Sequence, residues 1–193
     1  MCLPREISAL ANIGGIYINT VNRCRPGFGA SCSFCCGSHN YVLGKDEIEE
    51  IFIKRSDDFS ALIRVHSAHP EDSFKEKLVK DGMQCPYIGY DNVHLYCLIY
   101  SEDHKGKAYE SFLRGTCRSF LCAAWDELTD REVLFAAELM KDWFYYSLLV
   151  NSPELVTRLC AEYSSPKDIS DDTLDELKIE LQRRLSEEDM IQG

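Results

Sequence analysis

Eight of the ten cysteines in this 193-residue chain fall into two runs, Cys24, Cys32, Cys35 and Cys36, then Cys85, Cys97, Cys117 and Cys122; Cys2 and Cys160 stand outside both. A chain of this length, 45% hydrophobic, buries a core without covalent staples, so the thiols need another explanation. The N-terminus, Met-Cys-Leu-Pro-Arg-Glu, shows no basic region leading into an apolar stretch, so no secretory signal is visible and the expected compartment is the cytoplasm. Disulfides are rare in a reducing compartment. There, cysteines in this number point to metal ligation or redox chemistry.

Charge narrows the partners. Lys and Arg total 21 against 32 Asp and Glu, a formal charge of −11, which argues against a phosphate-binding surface and hence against nucleic acid. The most apolar stretch, Val133 to Val150, contains Glu138, Lys141 and Asp142, so it predicts a buried or amphipathic helix and no membrane span. Hydrolytic signatures are missing too: there is no Gly-x-Ser-x-Gly, no HExxH and no P-loop.

The pattern predicts a mainly α fold with irregular cysteine-rich metal-binding loops, or α+β if Leu62–Val65 and Val93–Ile99 are strands. Met1 to Gly37 reads as a short apolar element followed by a turn-rich loop, and Lys45 opens a short helix with Ile48 and Ile51 or Phe52 on one face. Thr129-Asp130-Arg131-Glu132 has the form of a capping box. The helix it starts is expected to run to about Val150 and to bury Leu134, Leu139, Trp143 and Phe144. Ser152 as cap and Pro153 at the first helical position open another, ending near Tyr163. Residues 1–165 are read as a cysteine-cluster metal-binding domain with a helical C-terminal half, and 166–193 as an acidic amphipathic helical tail. Leu174, Leu177, Leu181 and Leu185 give that tail an apolar stripe that docks on the same chain or serves a protein partner.

The candidate metal ligands are Cys24, Cys32, Cys35, Cys36, Cys85, Cys97, Cys117 and Cys122. A C-x2-C step lets two sulfurs converge on one centre, whereas the adjacent Cys35 and Cys36 are expected to diverge. Thiolate-only ligation favours an iron–sulfur cluster or Zn2+ over oxygen-seeking ions. The histidines compete little, since His66 and His69 lack a paired cysteine step and His39, His94 and His104 read as surface or core residues. Arg23 and Arg25 bracket Cys24, and Arg114 and Arg118 bracket Cys117; of these, Arg118 is the residue expected to stabilise a bound cluster by donating to its sulfurs.

Several of these steps, in this order, resemble the YkgJ-like cysteine-cluster proteins, a CxxCxxCC family described as a zinc- or iron-chelating domain. Cys32-Ser33-Phe34-Cys35-Cys36-Gly37 is similar to the family's C-x2-C-C core. Cys85-Pro86-Tyr87-Ile88 and Cys97-Leu98-Ile99-Tyr100 resemble later steps, and so does Arg114-Gly115-Thr116-Cys117-Arg118-Ser119-Phe120-Leu121-Cys122. The family's outer cysteine would fall at Gly29, with Cys24 as a displaced substitute, and Gly115 stands where proline is usual. The resemblance implies a cysteine-bound iron–sulfur or zinc centre without a defined reaction.

Three functions remain open on the sequence. The preferred one is an iron–sulfur protein with a redox or cluster-dependent role; the alternative is a structural zinc-binding interaction module without catalysis. A thiol-redox protein cycling Cys32 and Cys35 is the third, although no thioredoxin-like strand–helix context surrounds them. Whether the chain is an enzyme is not legible.

Overall fold

In the computed structural model, which describes residues 21–39, 44–65, 88–98 and 122–191, the first cysteine run leads into helix α1 (Lys45–Val65). Asp46 and Glu47 occupy its first turn, where the helix dipole favours negative charge, and the Glu47 carboxylate accepts the Gly44 amide at 2.9 Å. Ile48, Phe52 and Phe59 recur on one face and are buried. The helix is longer than expected, and Leu62–Val65 are helical, not a strand. β-Branched residues lose only about 0.5 kcal/mol each in a helix, too little to stop one already nucleated and seated on a core.

Strands β1 (Ile88–Tyr90) and β2 (Leu95–Cys97) pair antiparallel, with Ile88 opposite Cys97 and Tyr90 opposite Leu95. The strand expected over Val93–Ile99 is therefore shorter: Val93 and His94 belong to the turn, where the Asp91 carboxylate accepts both their amides at 3.0 and 2.6 Å, and Ile99 lies outside the described residues. The hairpin sits on α1, with the Tyr90 amide donating to Ser56 Oγ at 2.8 Å. Gly89 permits that approach, because a Cβ there would collide with Ser56 Oγ and the Leu98 side chain.

Five helices follow: α2 (Ala123–Glu127), α3 (Asp130–Met140), α4 (Trp143–Val150), α5 (Pro153–Glu162) and α6 (Asp171–Ile191). The capping box at Thr129 and Glu132 forms as expected. The helix it opens stops at Met140, however, and does not continue to Val150. Lys141 adopts the left-handed conformation at φ +54°, and the Asp142 carboxylate starts α4 by accepting the Tyr145 amide at 2.7 Å. The break turns the apolar segment, so that Leu139, Trp143 and Phe144 are all buried while Leu134 is only half-buried and Val133 and Phe135 fill the core.

Helix α4 is the centre of the body, buried from Trp143 through Val150 except at Tyr145. Its first turn meets α1 through the Trp143 indole, which donates to Glu49 at 2.6 Å, and through Lys45, 3.7 Å from Asp142. Pro153 occupies the first turn of α5, while Ser152 holds the cap position without a side-chain capping bond. The leucine stripe of α6 packs on this same body, with Leu181 buried and Leu174, Leu177 and Leu185 against the core; Arg184 ties it to Glu154 of α5 at 2.8 Å. Helix makes up 64% of the described residues and the only sheet among them has two strands, so the fold is mainly α. No helix among these residues is long and apolar enough to cross a membrane.

Candidate metal centre

The loop 21–39 has one short 3-10 turn, Phe34–Cys36, and is held by side chains instead of by regular structure. Its chief anchor is Arg23, only 1% exposed. That guanidinium pairs with the Asp130 carboxylate at 2.5 Å and donates to the carbonyls of Val21, Leu128 and Ala124 at 2.7, 2.8 and 3.4 Å, with the Trp125 ring 4.8 Å away. From below, the Tyr146 hydroxyl of α4 donates to the Arg23 carbonyl at 2.8 Å. One carboxylate and several carbonyls fix this segment on the start of α3, as a buried cation requires.

Past Arg23 the chain reverses in a tight turn, Ala30 donating to Gly27 at 2.9 Å, with Gly27, Phe28 and Gly29 all at positive φ. The reversal brings the Cys32 amide onto the Cys24 carbonyl at 3.0 Å, so two cysteines eight positions apart become backbone neighbours. Ser31 Oγ accepts the Leu95 amide at 2.9 Å, joining the loop to β2. The 3-10 turn then presents Cys35 and Cys36, and Gly37 closes it at φ +84°. Cys122 arrives separately, at the cap position of α2.

These sulfurs lie in one another's field. Desolvation by the surrounding protein pushes the Cys24 thiol far up, the charges of Cys32, Cys35 and Cys122 add to it, and only Arg25 opposes. Cys32 is pushed up to about 12 by burial and by Cys35, against hydrogen bonds from the Phe34 amide and the Ser147 hydroxyl. Cys122 is raised by burial and by Cys35, against the Trp125 amide. Cys35 moves the other way, to about 7, because the Cys36 thiol donates to its sulfur. The Cys36 thiol thus reaches the Cys35 sulfur, contrary to the expected divergence.

The structure thus gathers Cys24, Cys32, Cys35, Cys36 and Cys122. Cys97 lies on β2 opposite Ile88, and Cys160 stands apart on α5, in the field of Glu132 and Arg131. Cys85, Cys117 and Arg118 lie outside the described residues, as do His66, His69 and His104. Among the described residues no three His, Cys, Asp or Glu side chains form a ready metal-binding group, and the seven described cysteines are free of disulfides. The donors gathered are nonetheless all sulfur, the chemistry suited to a soft metal.

His39 is a core residue. Its Nε2 donates to the Phe144 carbonyl at 3.1 Å, which fixes Nδ1 as acceptor for the Ser38 hydroxyl at 2.9 Å, and Phe34, Trp143 and Phe144 surround the ring. Sequence reasoning missed Arg23 as an anchor, because its partner Asp130 is 107 positions away and each reads locally as an ordinary charge. It also missed Ser147, whose signal was a lone hydroxyl inside the apolar run of α4.

Compared with known proteins, the chain matches no family model, no curated protein and no solved structure.

Proposed function

We propose that this chain is a cysteine-ligated metal protein, with an iron–sulfur cluster as the bound group and a redox or cluster-dependent role. The observation that carries the reading is the gathering of Cys24, Cys32, Cys35 and Cys122, from three separate stretches, within one another's electrostatic field. Thiolates so placed repel, and Arg25 is the cation that opposes this at Cys24. A bound soft cation supplies the missing positive charge and deprotonates its ligands. Cys36, Cys85, Cys97 and Cys117 complete the candidate ligand pool, with Arg118 as a donor to the cluster. The pool exceeds the four thiolates that one zinc ion or one iron–sulfur cluster takes, so the surplus serves a second centre or acts as redox partners. When bound, such a cluster supplies one-electron chemistry; the chain's own residues hold the sulfurs.

Purification of the full chain without oxygen tests this. Coloured protein with stoichiometric iron and acid-labile sulfide is the expected result. Colourless protein with tightly held zinc would move the assignment to a structural zinc module, and a metal-free chain with Cys32 and Cys35 oxidised to a disulfide would overturn metal binding altogether.

A further inference from the structure

One sulfur of the cluster receives unusual attention from the central helix. Asn151, at the C-terminal cap of α4, directs its side-chain amide at two acceptors, the Ser147 carbonyl at 2.8 Å and Cys32 Sγ at 3.9 Å. An amide nitrogen carries two protons, so both contacts are made at once. Ser147, one turn earlier on the same face, adds its hydroxyl, whose single proton is shared between Cys32 and the Ser31 carbonyl at 3.4 Å. The Phe34 amide approaches the same sulfur from the loop. Three donors of three kinds thus meet one cysteine sulfur. A neutral thiol is a weak acceptor, whereas a thiolate accepts several charge-assisted hydrogen bonds, so the arrangement suits Cys32 once a bound cation has replaced the proton that burial otherwise holds on it.

From this geometry we infer that Asn151, assisted by Ser147, is a positioning residue for the metal-bound Cys32 thiolate: it fixes the direction of that ligand and withdraws electron density from its sulfur. The inference rests on the metal reading above. Hydrogen bonds to ligating sulfur tune cluster potentials, and residues that orient metal ligands contribute about 10- to 100-fold in affinity. Asn151 also borders a cavity of about 120 Å3 beside Phe34 and Leu181, so an apolar side chain of similar size fits in its place.

The probe is Co2+ titrated into the full-length, metal-free chain against a competing chelator, reading the sulfur-to-cobalt charge-transfer band. Asn151→Leu is expected to bind about 10-fold more weakly and to shift the band to longer wavelength, since a thiolate without its donor gives up charge more easily. Ser147→Ala shifts it in the same direction by less. Thermal melts of the metal-free proteins separate this from general destabilisation, which lowers the melting temperature but leaves the band position of the bound fraction unchanged. A wild-type band with an unshifted Asn151→Leu band would overturn this inference alone. Absence of any band in the wild type would overturn the metal reading, and the inference with it.

Discussion

Arg23 shows how one side chain decides where a loop goes. Its guanidinium has a carboxylate and several carbonyls as partners, so removing the carboxylate leaves a buried cation without its counter-charge. Asp130→Ala is expected to cost about 3 kcal/mol, read as a lower urea midpoint. An unchanged midpoint would show that the carbonyls alone suffice. His39 makes a different residue-scale prediction. Burial holds its pKa down at about 4, against an ordinary value of 6.5, so between those values the unfolded chain takes up a proton that the folded chain refuses. Its contribution is complete above pH 6.5 and is lost as the pH falls through 4, by up to about 1.4 kcal/mol per pH unit. Denaturation of wild type and His39→Gln across that range should show the steeper loss in the wild type; parallel curves would contradict it.

The elements differ in how openly their sequences announce them. Capping at Thr129 and Glu132, Pro153 at the head of α5 and the leucines of α6 were legible because each depends on neighbours within a turn or two. The break between α3 and α4 was not, for no glycine or proline marks it. Lys141 takes the left-handed conformation with an ordinary side chain, and the one local signal was Asp142, a good cap placed before an aromatic run. The length of α1 was hidden for another reason, since Ala61–Val65 alone reads as a strand and only its continuity with Ile48, Phe52 and Phe59 makes it helical. Lys141→Gly follows at this scale. Glycine adopts φ +54° without the Cβ penalty, and because Lys141 is exposed the substitution should raise stability by about 0.5–1 kcal/mol, measured by thermal unfolding. A loss would mean that the lysine side chain contributes to the break.

At the scale of the whole molecule, the first cysteine run could be recognised from spacing, but the joining of Cys122 to it depends on helices that no spacing describes. If the cluster holds metal, Cys35→Ser should lose both metal and the stability that metal confers, while Cys160→Ser, on the far helix, should keep both; metal content and melting with and without chelator check this. Retention of metal by Cys35→Ser would remove Cys35 from the site. The Arg23–Asp130 anchor also sets an order of events during synthesis. Closing a span of 107 residues costs about 4 kcal/mol in chain entropy, so the contact waits until α2 and α3 exist to reward it. A nascent chain therefore carries Cys24, Cys32, Cys35 and Cys36 unseated while most of the helical body is still to be made: a polypeptide halted before Thr129 has these sulfurs but not the anchor that seats them.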